Sequence, residues 1–213
     1  MHMPNGHEVA DGSAPQPARQ PGALERIGQS PIAGFAPWII YGVVASGKST
    51  WLYGALAAAV AAIILAGPSI LRGSHKMLDL VTIAFFVALT IAGIATGAKN
   101  DDWMDTWSAT LSSGILAAVA LGSLAFVPFT EQYARESTPR EVWDHPAFKR
   151  TNRVLTLVWG LTFAANSVLA FVSVKAPDTG DWTAWVIPTV LLVTAFKITA
   201  SYPDRVRARA SGS

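Results

Sequence analysis

The stretch that decides the fold is residues 51–71, which read WLYGALAAAVAAIILAGPSIL. Its 21 residues include no Asp, Glu, Lys, Arg or His. A helix of this length crosses the hydrocarbon core of a bilayer, which is about 30 Å thick. Residues 51–71 therefore predict a transmembrane helix.

Four other stretches share this near-complete lack of charge. Together with 51–71 they cover 101 residues and contain one Asp, Glu, Lys or Arg side chain, that of Asp79. They are 77–97, 107–129, 154–174 and 182–196, and the last extends to 202 if the Lys197 side chain reaches the surface. Only 14% of the chain is charged, against about a quarter in soluble domains. The composition thus argues against a soluble fold.

A further apolar stretch, 31–46, is shorter and contains Pro37 and Gly42. It is either a short tilted span or a re-entrant segment. If all six stretches cross and the chain starts in the cytoplasm, the basic residues divide unequally, with 13 of the 16 on the cytoplasmic side. This split alternates loop by loop and predicts cytoplasmic termini by the positive-inside rule. The 13 are Arg19, Arg26, Arg72, Lys76, Arg135, Arg140, Lys149, Arg150, Arg153, Lys197, Arg205, Arg207 and Arg209.

The predicted fold is therefore an all-α, polytopic membrane helix bundle with six spans. Residues 1–30, rich in Pro, Gly, Ala and Gln, predict a disordered cytoplasmic tail. The bundle occupies residues 31–203, and a basic tail follows at 204–213. The predicted spans are 31–46, 51–71, 77–97, 107–129, 154–174 and 182–202.

The cytoplasmic loop 131–153 is the longest connection. Within it, Thr138-Pro139-Arg140-Glu141 reads as an N-cap, a first-turn proline and a capping-box glutamate. This pattern predicts a short helix that ends before Pro146. Trp143 and Phe148 could rest that helix on the membrane surface. We expect a docking segment carried by Arg140, Glu141, Trp143 and Phe148; the alternative is a solvated connector.

A complete phosphate-binding-loop pattern, Gly42 to Thr50, reads GVVASGKST and follows an extended-looking run, Pro37–Tyr41. We interpret the match as spurious for three reasons. The charge pattern places Lys48 outside the cell, the following helix is a membrane span, and no strand ends in an aspartate that could hold Mg²⁺. A turn in which Ser49 or Thr50 caps the next helix is the preferred interpretation. We therefore expect no enzymatic activity.

Asp79 is the only carboxylate within the predicted spans. An intramembrane ionisable group is a functional candidate by default, although Asp79 is near enough to the cytoplasmic end to reach water, Lys76 or Arg72. The candidates for a polar path through the bundle are Asp79, Ser112, Ser113 and Asn166. No cofactor or metal is expected, because the chain has no Cys and its four His lie outside the spans.

The layout also resembles a known family. An Ala-rich helix is followed by the basic turn of Arg72 and Lys76, and then by a hairpin with an acidic, Trp-containing loop. The most specific stretch runs from Glu141-Val142-Trp143 through Asn152 to Asn166. This order is similar to that of the bacterial septation protein A family of inner-membrane proteins, which are associated with the cell envelope and division.

The resemblance implies a non-enzymatic protein of the bacterial inner membrane that acts through partners. Those partners would be membrane lipids together with membrane proteins or further copies of the chain. A net charge of +2 gives no reason to expect nucleic acid among them. The alternatives are a small oligomeric transporter or channel subunit and an accessory subunit of a larger membrane complex. A continuous polar path would favour transport, and a dry bundle packed through small residues would favour interaction.

Overall fold

The computed structural model describes residues 31–45, 47, 49–96 and 101–211, so the predictions for residues 1–30, Lys48 and Lys99 lie outside the described part. Within this part the chain forms seven α-helices and no strand, which confirms the all-helical prediction. The helices are α1 (Pro31–Val44), α2 (Trp51–Leu71), α3 (Met77–Thr96), α4 (Asp101–Ser123), α5 (Phe129–Ser137), α6 (Pro146–Lys175) and α7 (Ile187–Ser211).

Four of the described helical segments are long and apolar enough to cross a membrane. They are α2, α3, α6 and the segment Asp181–Val206, which joins a π-helical turn at Asp181–Val186 to α7. This is compatible with a multi-pass integral membrane protein. The helix predicted at 107–129 instead occupies Asp101–Ser123, and α4 is not among these four segments. Its acidic first turns are helical. The chain then turns at 124–127, and Pro128 leads into α5.

Helix α1 is short but lies in the centre of the core. Phe35, Trp38 and Tyr41 recur at every third position, and each is at most 7% exposed. Phe35 stacks on Trp159 of α6 with ring centroids 4.8 Å apart, and Trp38 stacks on Phe85 of α3 at 5.0 Å. The extended-looking run Pro37–Tyr41 is helical, and the aromatic side chains of α1 contact both α3 and α6.

Close packing depends on small residues, as membrane helices require. Gly54, Ala58 and Ala62 lie on one buried face of α2, which packs against both α1 and α3. A Cβ at Gly93 of α3 would come within 2.7 Å of the Trp51 ring and 2.6 Å of Leu52. The most extensive helix pair is α4 with α6, where a Cβ at Gly160 would lie 2.7 Å from Leu121 Cγ.

The region after α4 differs from its prediction. The amphipathic helix α5 was not predicted, and the expected helix after Thr138 is only a 3₁₀ turn at Arg140–Val142 without a side-chain cap. Pro146 does not follow a helix but begins α6, whose first turn is capped by His145 accepting from the backbone N–H of Ala147. The C-terminal tail predicted at 204–213 continues α7 as far as Ser211.

Candidate functional site

A charged cluster lies buried between the start of α3 and helix α5. The Lys76 Nζ is 3.0 Å from a carboxylate oxygen of Glu136 and 3.5 Å from one of Asp79. The Tyr133 hydroxyl donates a short hydrogen bond to the other Asp79 oxygen, and Nζ of Lys76 lies 4.4 Å from the centroid of the Tyr133 ring. Lys76 is 2% exposed, Asp79 5% and Tyr133 1%. We call these four residues the buried charge cluster.

Helix caps and a close approach of two helices position this cluster. Gln132 accepts a hydrogen bond from the backbone N–H of Met77, the first residue of α3, at 2.7 Å. The Ser74 hydroxyl donates to Glu136 at 2.8 Å. On the other side, Gly34 of α1 leaves room for Tyr133, since a Cβ there would meet the tyrosine hydroxyl and lie 2.9 Å from its Cζ. The cluster thus joins α1, α3 and α5.

The electrostatics of the cluster favour a neutral tyrosine beside paired charges. Burial, followed by the negative charge of Asp79, raises the pKa of the Tyr133 hydroxyl above its ordinary value of about 10. Tyr133 therefore stays protonated and donates to Asp79 across the physiological range. Lys76 supplies one positive charge between two carboxylates, and a buried charge needs such pairing because desolvation is costly.

The cluster adjoins a very small cavity. The cavity has a volume of about 10 Å³ and is lined by Asp79 and Thr82 of α3, Gly34 and Pro37 of α1, and α2 residues that include Ala62. This volume is about that needed for one water molecule. Asp79 was predicted to reach water, Lys76 or Arg72; it contacts Lys76 inside the protein.

The remaining predicted path residues lie in a different part of the bundle, on α4 and α6. The Ser112 hydroxyl donates to the Ser108 carbonyl oxygen of its own helix, and Ser113 is half-buried beside it. The Asn166 side chain is 8% exposed, and its Oδ1 has no hydrogen-bond partner in the described residues. No hydrogen bond or ion pair between described residues links Asp79 to these three, so they do not form one connected polar site.

The predicted docking segment is only partly exposed. Arg140 and Glu141 are exposed, whereas Trp143 is half-buried and donates from Nε1 to the Thr138 carbonyl oxygen at 2.9 Å. The guanidinium groups of Arg135 and Arg140 lie 5.0 and 5.6 Å from the Trp143 ring. Phe148 is half-buried in the first turns of α6. The docking role of this segment stays a prediction.

A second, larger cavity opens beside this segment, between α5 and the start of α6. Its volume is about 470 Å³. Four basic side chains line it, together with one carboxylate and several apolar residues. We call this cavity the basic groove, and its charged residues are Glu131, Arg135, Lys149, Arg150 and Arg153.

Two of the four cations in the basic groove are paired. Arg135 contacts Glu131 at 2.6 Å, and Lys149 contacts the exposed Asp144 at 2.8 Å, which lowers the pKa of the Asp144 carboxyl. Within the described part of the chain, neither Arg150 nor Arg153 forms an ion pair. Arg153 donates to the carbonyl oxygen of Leu124 at 3.5 Å. The groove therefore retains an excess of positive charge.

The described part of the phosphate-binding-loop match does not have the strand–loop–helix context of such a site. Helix α1 takes the place of the strand and includes the first three residues of the match, Gly42 to Val44. The Ser49 backbone N–H donates to Asp105 of α4 at 3.0 Å. Thr50 occupies the N-cap position of α2, but its hydroxyl bonds Gly47 rather than the helix, so the predicted side-chain cap is wrong.

Sequence reasoning identified Asp79 and named Lys76 among its possible contacts, but it missed Tyr133 and Glu136. Lys76 three residues earlier was a usable signal, since residues at this spacing face each other on a helix. Glu136 and Tyr133 lie 60 and 54 residues from their partners, so only the tertiary structure brings them in. In the described part of the chain, no group of three or more His, Asp or Glu side chains could hold a metal ion.

Comparisons with protein-family models, with curated proteins and with solved structures return no significant match. The similarity of layout to the septation protein A family therefore stays a prediction.

Proposed function

We propose that this chain is a non-enzymatic, multi-pass protein of the bacterial inner membrane that acts by binding other membrane proteins or further copies of itself. Its layout supports an association with the cell envelope or division, as in the septation protein A family. In this proposal all six predicted segments, including α1 and α4, lie across the membrane. Both termini and the buried charge cluster face the cytoplasm, in agreement with the distribution of basic residues.

The observation that carries the proposal is the packed interior. Asp79 is the one Asp, Glu, Lys or Arg side chain of the predicted spans apart from Lys197. The cavity beside it has room for about one water molecule. Around it, Ala and Gly faces and stacked aromatic rings fill the space between α1, α2 and α3. Close packing of this kind in the described residues favours a binding role over transport of a solute through the bundle.

The C-terminal helix supplies a surface for such binding. Only 11% of the residues in the 18-residue apolar stretch of Asp181–Val206 are buried, against 39% in the corresponding stretch of α2. Trp182, Trp185, Val190 and Val193 are all exposed large apolar side chains on this segment. Because lipid gives helices no hydrophobic reason to associate, a protein partner at this face would be held by close packing.

Site-specific photo-cross-linking in intact cells tests the proposal. A photoreactive amino acid at Val190 or Val193 should yield a discrete protein adduct, either with a partner or with a second copy. The matched control is Ala195 of the same helix, which is 1% exposed and contacts the protein's own core. Adducts to lipid alone from both exposed positions would contradict the interaction role.

The transporter alternative retains one specific observation: the Oδ1 of buried Asn166 on α6 has no hydrogen-bond partner among the described residues. A group of this kind is costly in an apolar environment unless a water, ion or substrate binds it. The distinguishing assay is solute and proton flux in proteoliposomes. Flux that is abolished by Asp79→Asn or by Asn166→Leu, in variants that fold normally, would favour transport. Flux no greater than that of empty liposomes would favour interaction.

A further inference from the structure

The basic groove combines positive charge with a position at a membrane boundary. Arg150 and Arg153 lie in the first turns of α6, and the uncharged stretch 154–174 begins immediately after Arg153. Positively charged residues directly next to an apolar span lie at the level of lipid headgroups. The groove therefore faces the layer in which lipid phosphates lie.

The groove also carries an exposed apolar side chain. Phe126 lines it from the turn after α4 and is 83% exposed. Val127 and Pro128, next in the chain, line the groove as well. An aromatic ring beside clustered arginines suits an amphipathic ligand. The acyl region of such a ligand contacts the ring, and its anionic headgroup contacts the arginines.

Helix α6 adds a third contribution. Its first residue, Pro146, lines the groove, and the 30-residue helix directs the positive end of its dipole there. A helix N-terminus favours phosphate groups. Here it acts together with Arg150 and Arg153, which form no ion pair within the described residues. The groove volume of about 470 Å³ is enough for a headgroup and the start of its chains.

We infer that the basic groove binds the phosphate headgroup of an anionic glycerophospholipid from the cytoplasmic leaflet. Arg150 and Arg153 contact the phosphate, and Phe126 contacts the glycerol and upper acyl region. Lys149 and Arg135 add to the field while remaining paired with Asp144 and Glu131. Basic pockets beside membrane helices on the cytoplasmic side are suited to this class of ligand. The inference rests on the membrane placement in the proposed function, but it does not depend on a protein partner.

The test measures lipid retention by the purified full-length chain in a neutral detergent, with native mass spectrometry as the readout. Phosphatidylglycerol and phosphatidylcholine are offered separately. The wild-type chain should retain phosphatidylglycerol preferentially. The double variant Arg150→Gln, Arg153→Gln should weaken that retention about thirtyfold. Each basic residue near an anionic lipid surface raises the binding affinity by about a factor of five, and two such residues are removed.

A matched control keeps the result specific to the groove. Lys197→Gln with Arg205→Gln removes the same charge from exposed positions of α7 and should leave phosphatidylglycerol retention unchanged. All four substituted side chains are exposed or half-exposed, so helix content by circular dichroism should stay constant in both variants. An equal loss in the control would contradict a groove-specific site.

Two further arms identify the source of the phosphate. Phe126→Ala should weaken phosphatidylglycerol retention severalfold, because a lipid uses the ring whereas inorganic phosphate does not. Inorganic phosphate should not displace the lipid. The inference is overturned if both lipids are retained equally, or if inorganic phosphate displaces phosphatidylglycerol. It is also overturned if the arginine double variant loses a protein partner while its lipid retention is unchanged. Because purified protein and lipid suffice, failure of the proposed interaction role would leave a positive result here intact.

Discussion

Replacing Lys76 by Met gives the sharpest test of the buried charge cluster. Lys76 is 2% exposed and is the cation that lies between the carboxylates of Asp79 and Glu136, at 3.5 and 3.0 Å. Methionine keeps the volume and flexibility of the side chain but removes the charge. The substitution therefore leaves the buried Asp79 carboxylate and the partly buried Glu136 carboxylate, whose side chain is 18% exposed, without the ammonium group. Removing one partner of a buried ion pair costs about 3–5 kcal/mol of unfolding free energy.

The same substitution at Lys149 provides the control. Lys149 pairs with Asp144, whose side chain is 94% exposed, so its loss should cost no more than about 1 kcal/mol. Unfolding can be followed by titrating a denaturing detergent into mixed micelles, with far-ultraviolet circular dichroism as the signal. We expect Lys76→Met to be the less stable of the two by about 2 kcal/mol or more.

A rescue variant separates the charge effect from lost packing. Adding Glu136→Gln to Lys76→Met removes one of the stranded carboxylates and should recover part of the stability. The coupling between these two positions should be about 0.5–3 kcal/mol in a double-mutant cycle. Equal stability of Lys76→Met and Lys149→Met, or no coupling with Glu136, would refute the claim that the cluster is buried and mutually paired.

The remaining predictions concern packing, hydrogen bonding and pH. Gly34→Ala should destabilise the bundle by about 1–3 kcal/mol, because the added Cβ would meet the Tyr133 side chain. Gly42→Ala in the same helix adds its Cβ in open space and should leave the stability unchanged, and denaturant titration compares the two variants. Ser123→Ala should cost about 1–3 kcal/mol in the same assay, since the hydroxyl accepts a buried backbone N–H at 3.0 Å; Ser137→Ala, at an exposed site, is its control. Because the pKa of Tyr133 is raised, this residue adds no pH dependence to the free energy of unfolding below about pH 10. Above about pH 10 the tyrosine ionises in the unfolded chain but not in the folded one, so the free energy of unfolding should fall. Thermal melts of the wild type and Tyr133→Phe should therefore diverge above about pH 10, and parallel curves would contradict burial of the hydroxyl.

The lack of charge made the long apolar helices predictable. A span of about 20 uncharged residues has few stable structures other than a membrane helix, and α2 follows its prediction at both ends, Trp51 and Leu71. Helix α4 departs from its prediction because Asp101, Asp102 and Asp105 were interpreted as an outer loop, whereas they form its first turns.

The central position of α1 could not be predicted from local pattern. Its 14 residues are short for a span, and Pro37 is a helix breaker in most settings. Its aromatic face is buried because Trp159 and Phe163 of α6 meet Phe35, at a distance of more than a hundred residues along the chain. Local periodicity carries no information about such pairing.

The candidate site was half predictable for the same reason. Asp79 stood out as a carboxylate within an apolar stretch. Lys76 was assigned to a basic cytoplasmic turn with Arg72 and was named as a possible contact of Asp79, but nothing in the local sequence indicated that it would be buried. Its burial follows from α5, an unpredicted nine-residue helix that brings Glu136 and Tyr133 over the start of α3. The basic groove likewise needs α5 and α6 side by side.

Both the proposed interaction role and the lipid site require that α5 and the start of α6 face the cytoplasm, on the opposite side from the α6–α7 connection. The chain has no cysteine, so single-cysteine variants can be labelled without background. Glu141→Cys and Asp178→Cys both lie at exposed loop positions. A membrane-impermeant maleimide should label Asp178→Cys in intact cells, and Glu141→Cys only after the membrane is permeabilised. Labelling of both in intact cells, or the reverse order, would contradict the account.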